Sequence, residues 1–140
     1  MPEAVPLKPL PPATQGDSPY YVERDGLCFA GTHLLLDLWG AKNLTDVAAV
    51  EAILREAVAA AGATLLRINL HSFSSSGGIT GVAILAESHM SIHTWPETGY
   101  AAIDIFVCGT CDAFRAIPVL RRGFEPTNLQ IAEHKRGLAL

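Results

Sequence analysis

The sequence predicts an α+β fold, a two-layer sandwich in which a mostly antiparallel sheet carries two helices on one face. Three observations lead there. One alanine-rich segment spaces its apolar residues as a helix does. Several short runs alternate with the period of two that marks a half-buried strand. Turn residues (Ser, Gly, Pro) separate those runs closely enough to make a meander of hairpins.

The elements follow in order. Six of the nine prolines lie between Pro2 and Pro19, and proline can neither donate to a sheet ladder nor sit inside a helix. Residues 1–25 are therefore expected to be a flexible proline-rich arm, and residues 26–140 the folded domain. Thr32 to Trp39, bounded by Gly31 and Gly40, is short and apolar and reads as a buried strand. Thr45 and Asp46 open a helix with Val47, Val50, Ile53, Leu54 and Val58 at helical spacing, and Gly62 ends it. From Ala63 to Phe73, Leu66, Ile68 and Leu70 alternate with Leu65, Arg67, Asn69 and His71, as one strand with one buried face would. The Ser74-Ser75-Ser76-Gly77-Gly78 turn leads to a strand from Ile79 to Glu87. Met90 to Trp95 and Ala101 to Cys108 continue the meander through Pro96-Glu97-Thr98-Gly99. Asp112 to Arg122 predicts a second helix that Pro118 begins or kinks, and Leu129 to Glu133 a last short strand. Helices on one face leave the other face of the sheet to be covered, and a second copy of the chain is the expected cover.

Composition excludes several functions. A net charge of -4, with ten Lys and Arg that cluster only at Arg121-Arg122 and Lys135-Arg136, gives no footprint for nucleic acid or an anionic membrane. No apolar run reaches the length of a membrane span, and the first residues lack the order of a signal peptide, so the expected location is cytoplasmic. The odd count of three cysteines fits a reducing compartment and not a disulfide framework.

The chemistry concentrates in GVAILAESHMSIHTWPETGYAAIDIFVCG, Gly81 to Gly109, where a hydroxyl, imidazoles, a carboxylate and a thiol sit at strand ends. Ser88 lies between Glu87 and His89, unlike the Gly-x-Ser-x-Gly elbow of hydrolases. A serine can instead attack the carbonyl before it, turning the Glu87–Ser88 amide into an ester, given strain and a proton shuttle. His93, reached across an expected strand bend, would take the proton from the Ser88 α carbon. Elimination would then leave a pyruvoyl group at a new N-terminus. Competing readings are weaker. Cys108-Gly109-Thr110-Cys111 has the spacing of a redox pair or half a zinc site, but no second pair accompanies it. His89 and His93 lie four apart, yet on a strand and without an intervening glutamate, so no metal is expected. His33, His71 and His134 read as packed or surface groups.

The run GITGVAILAESHMSIHTWPETGYAAIDIFVCG and the later AEHKRG resemble the prokaryotic S-adenosylmethionine decarboxylases, pyruvoyl enzymes that cut themselves before a serine. The resemblance spans roughly Gly31 to Gly137 and implies cleavage between Glu87 and Ser88. It implies that Ser88 becomes the pyruvoyl cofactor, that His93 assists processing, and that Cys108 is the general acid. It further implies that Phe73 stacks on adenine and that Glu97 holds the ribose hydroxyls. Thr80 stands where the family often has a serine that helps processing; the hydroxyl is kept. Between Phe73 and Thr80 the chain is one residue longer than the family pattern and lacks its usual proline. The implied chemistry is an electron sink: substrate amine and pyruvoyl ketone condense to a Schiff base, and the charge left by carbon dioxide is delocalised. A homodimer of cleaved protomers acting on S-adenosylmethionine for polyamine synthesis is the leading expectation. A pyruvoyl decarboxylase of ornithine or arginine, and a non-cleaving binding paralogue, are the alternatives.

Overall fold

Asp46 starts the first helix, α1 (Val47–Ala60), by accepting a hydrogen bond from the amide of Ala49 at 3.1 Å. The helix buries Val50, Leu54, Ala57 and Val58; of the stripe foreseen from spacing, Val50, Leu54 and Val58 meet the core and Ile53 packs against it, while Val47 stays exposed. This computed structural model describes residues 22–139. The expected end of the arm at residue 25 falls in the turn of a small hairpin, β1 (Val22–Arg24) with β2 (Leu27–Phe29). Residues 1–21 of the arm lie outside the described residues.

Beyond that hairpin come β3 (Gly31–Trp39), α1, β4 (Leu65–Ser72), β5 (Ile79–Leu85), β6 (Ser88–Trp95), β7 (Tyr100–Cys108), α2 (Ala116–Phe124) and β8 (Asn128–Arg136). The main sheet has the order β4-β5-β6-β7-β3-β8, and every neighbouring pair is antiparallel. The α+β two-layer expectation holds. Leu34, Leu36 and Leu38 of β3, Met90 and Ile92 of β6, and Ile103 and Ile105 of β7 face the helices and are buried. Their alternates form the second face, which no described helix covers. It carries Trp39, Leu35, Ile84 and Trp95, each about two-fifths exposed.

Several boundaries differ from expectation: β5 ends at Leu85 and not Glu87, and β6 begins at Ser88 and not Met90, because Ala86-Glu87 form the turn between them. A 3-10 turn, Ala113–Arg115, precedes α2, with the Asp112 carboxylate accepting from the Phe114 amide at 3.0 Å. Pro118 does not begin α2 but sits in its first turn, two residues after its start at Ala116, where proline is tolerated. β8 runs to Arg136 and not to Glu133, because an edge strand tolerates the charged residues that hide its alternation. Finally, Gly123 lets α2 lie close against α1: a Cβ there would meet Ile53 atoms at 2.6–2.9 Å.

Candidate active site

β5 and β6 form a hairpin whose loop is only Ala86-Glu87, with Leu85 opposite Ser88. Two-residue hairpins usually place positive φ within the loop, to match the strand twist. Here neither loop residue has it, and Ser88 itself takes φ 138°. Left-handed backbone at a residue with a Cβ costs about 1–3 kcal/mol, and such strain collects where function requires it. The Glu87–Ser88 bond is therefore flanked by the strain that the sequence reading demanded.

Glu87 is held at both ends. Its side chain accepts from the Thr64 amide at 2.9 Å, and its backbone carbonyl accepts from the Cys108 amide at 3.1 Å. The carbonyl that a Ser88 hydroxyl would attack thus already faces an N–H donor. Cys108 closes β7 beside this bond, opposite Gly31, where a Cβ would come within 2.4 Å of the Val107 carbonyl oxygen. Burial pushes the Cys108 thiol above its usual range and the Glu87 charge adds to the effect, so the thiol is protonated at neutral pH. Cys28, Cys108 and Cys111 are all free thiols. Cys111 donates to the Gly62 carbonyl at 3.5 Å and joins no metal-ligating group among the described residues.

The other expected residues lie at the far end of the same strands, with Thr80 and His93 on the open face. Thr80 and His93 are cross-strand partners, with Thr80 Oγ1 and His93 Nδ1 3.1 Å apart. Phe73 follows β4, about half exposed, with its ring edge-on to His71 at 4.7 Å. Glu97 lies in the β6–β7 turn. The strand bend expected between Ser88 and His93 is absent, because β6 pairs without interruption with both neighbours. Five residues of strand put His93 about 16 Å from Ser88. Within one chain the residues divide into a cleavage cluster (Glu87, Ser88, Cys108) and a distal cluster (Phe73, Thr80, His93, Glu97).

Between them the open face holds a relay whose centre, Asp104, was not singled out in the sequence, and which draws in His33 and His89. Asp104 Oδ2 accepts from His33 Nε2 at 2.6 Å and His89 Nε2 at 3.0 Å, while Ser91 donates to its other oxygen. Burial raises the Asp104 pKa, but these donors outweigh it and hold the carboxyl below its ordinary range. Arg136 Nη1 lies 3.2 Å from His33 Nδ1, on the side of the ring opposite Asp104. Ligand atoms of His33, His89 and Asp104 lie within 4.8 Å of one another, yet each is engaged in this relay. Beyond it a groove of about 290 Å³ runs past Asp37, Ala102 and His93. It leads to a stack of Trp39, Tyr100 and Trp95, with centroids 4.4 and 5.1 Å apart. The Asp37 carboxylate accepts from Tyr100 at 2.5 Å and pushes that phenol up to about 12, with burial and its charge contributing. One sequence signal would have found Asp104. A tight turn pairing Trp95 with Tyr100 fixes Ser91 opposite Asp104 by counting alone.

The profile of the family described as S-adenosylmethionine decarboxylase matches residues 32–137. The chain belongs to the S-adenosylmethionine decarboxylase family. It is 46% identical over 109 residues to the S-adenosylmethionine decarboxylase proenzyme of Thermomicrobium roseum, covering 77% of this chain and 94% of that one. To the proenzyme of Methanococcus maripaludis strain C7 it is 47% identical over 111 residues, covering 77% and 90%. Its fold is similar to the crystal structure of the adenosylmethionine decarboxylase from Aquifex aeolicus VF5. The TM-score is 0.67 at 37% identity, covering 76% of this chain and 90% of that chain. S-adenosylmethionine decarboxylase membership agrees with the antiparallel two-layer fold and with the strained serine. No described helix is long and apolar enough to cross a membrane.

Proposed function

We infer that this chain is a self-processing decarboxylase of S-adenosylmethionine, supplying the aminopropyl donor of spermidine and other polyamines in the cytoplasm. The observation that carries the reading is the Glu87–Ser88 bond, with φ 138° at Ser88 and the carbonyl of Glu87 held by the Cys108 amide. Cleavage there would turn Ser88 into a pyruvoyl group, which when present supplies the electron sink for loss of carbon dioxide. The site fits that group, because the protonated Cys108 thiol stands beside the residue that would bear it and can deliver a proton to the product carbon. Phe73 offers an exposed ring to adenine or to a sulfonium, worth about 0.5–2 kcal/mol as a cation–π contact. Glu97 offers a carboxylate to the ribose hydroxyls.

The two clusters complete one site when two copies of the chain pack their open faces together. A two-fold axis lying between the sheets and running across the strands sets the Ser88 end of one β6 over the His93 end of the other. Packed sheets lie about 10 Å apart, so facing side chains meet. The exposed Leu35, Trp39, Ile84 and Trp95 supply the apolar surface such packing needs. Thr80 then orients His93 for the elimination step on the facing copy.

Release of labelled carbon dioxide from S-adenosylmethionine, ornithine and arginine tests the substrate. Turnover of S-adenosylmethionine alone is expected, and preference for a basic amino acid would replace this reading with its rival. Family membership favours the nucleoside substrate over the basic amino acids. The intact Ser88, His93 and Cys108 speak against a non-cleaving paralogue.

A further inference from the structure

The relay on the open face ends at the cleavage bond. Ser88 Oγ lies 3.4 Å from His89 Nδ1, and the opposite nitrogen of the same ring is the one that meets Asp104 at 3.0 Å. With Asp104 ionised and accepting, the hydrogen of His89 sits on Nε2, and Nδ1 is left as an acceptor aimed at the hydroxyl. This is the order of a nucleophile, a base and an orienting carboxylate. His93 cannot serve here within its own chain, because it lies about five strand residues away.

We propose that His89 is the general base of the first processing step, the shift of the Glu87 acyl group from the nitrogen to the oxygen of Ser88, and that Asp104 is its positioning residue. The proposal rests on the self-processing reading above and adds a role that the His93 assignment leaves open. As Oγ bonds to the Glu87 carbonyl carbon, its proton passes to His89 Nδ1. The carbonyl oxygen takes the negative charge opposite the Cys108 N–H, 3.1 Å away before the shift. The carbon–nitrogen bond then breaks, and the same proton returns to the Ser88 nitrogen. An ester and a free amine remain; nothing is oxidised or reduced, and no co-reactant is consumed. The imidazolium formed midway lies against the Asp104 carboxylate, itself fixed by Ser91 and by His33. The Ser88–His89 contact is long for a hydrogen bond, as catalytic contacts often are before the reaction tightens them.

The test follows cleavage of freshly synthesised full-length chain by mass spectrometry, with and without hydroxylamine, which cuts esters but leaves amides. His89→Gln keeps a donor near Asp104 and removes the base. Its cleavage is expected to slow by about a hundredfold or more. Hydroxylamine should release no fragments from it, since no ester forms. His93→Ala should instead accumulate the ester and be cut by hydroxylamine. His89→Gln cleaving at the wild-type rate, or yielding fragments with hydroxylamine as fast as His93→Ala does, would overturn the proposal. Should the Gln chain fail to show a cooperative melt, Asp104→Asn decides on the same readouts: slowed cleavage without an ester supports the relay, and unchanged cleavage overturns it. A wild-type chain that never cleaves would instead defeat the self-processing reading itself, so the two failures are distinguishable.

Discussion

Co-expression of two singly inactivated chains addresses the composite site. Ser88→Ala removes the cleavage bond's nucleophile, and His93→Ala removes the distal imidazole about 16 Å along the same strand. If each site is shared across a two-fold axis, a mixed dimer contains one wholly defective site and one intact site. The intact one joins Ser88 of the His93→Ala chain to His93 of the Ser88→Ala chain. Random pairing places about half of the His93→Ala chains in such dimers. About half of those chains should therefore be cleaved promptly, while the same chain expressed alone cleaves slower by roughly 10²–10⁴-fold. Tags of different mass let intact-mass spectrometry read each chain separately, and the Ser88→Ala chain should remain whole. No acceleration in the mixture, with mixed dimers demonstrated by pull-down on one tag, would refute the shared site.

Other consequences can be checked directly. Ser88→Gly and Ser88→Ala should both remain uncleaved, but the glycine chain should melt higher. Relief of about 1–3 kcal/mol of backbone strain, less the roughly 0.4–1 kcal/mol that glycine costs through the unfolded state, leaves up to about 2.6 kcal/mol, as much as roughly 10 °C in calorimetry; a glycine chain melting below the alanine chain would contradict strain at Ser88. In uncleaved Ser88→Ala, alkylation of Cys108 by iodoacetamide, read by peptide mass, should keep rising beyond about pH 9, because burial and the Glu87 charge raise the thiol. A plateau below about pH 8 would show a thiolate, and not the proton donor assigned here. Ultraviolet titration should show a phenol ionising at about 12, that of Tyr100. Because the folded value is raised, the Asp37 bond contributes stability below about pH 10 and loses it as pH climbs through the folded value. Asp37→Asn should return the phenol to the ordinary range; an unchanged titration would remove Asp37 as the cause.

Short-range chemistry reveals more of this molecule than long-range pairing does. The Asp46 cap, most of the apolar stripe of α1 and the alternation of β5 to β7 are local patterns that appear where they were expected; in β4, Ile68 and Leu70 turn inward as expected, but a bulge between Leu65 and Arg67 leaves Leu66 exposed. The Glu87-Ser88 dipeptide was conspicuous because a polar cluster interrupts an apolar run. What escaped depended on partners far along the chain. β8 is an edge strand whose polar residues mask its period, and its length is set by pairing with β3 some hundred residues earlier. Asp104 read as one polar position of a strand until register put it opposite Ser91 and between His33 and His89. The bend imagined between Ser88 and His93 came from requiring both residues in one chain's site. The unbroken pairing of β6 rules that bend out, so the proposed shared site would need a second copy to bring the two residues together.

A chain that makes its own cofactor must break the bond before Ser88. Intact mass of the purified protein beside its Ser88→Ala variant tests this most directly. Two fragments meeting between Glu87 and Ser88, the second beginning with a pyruvoyl group, are expected for the wild type, and one whole chain for the variant. A wild-type chain that stays whole under all conditions would contradict the account.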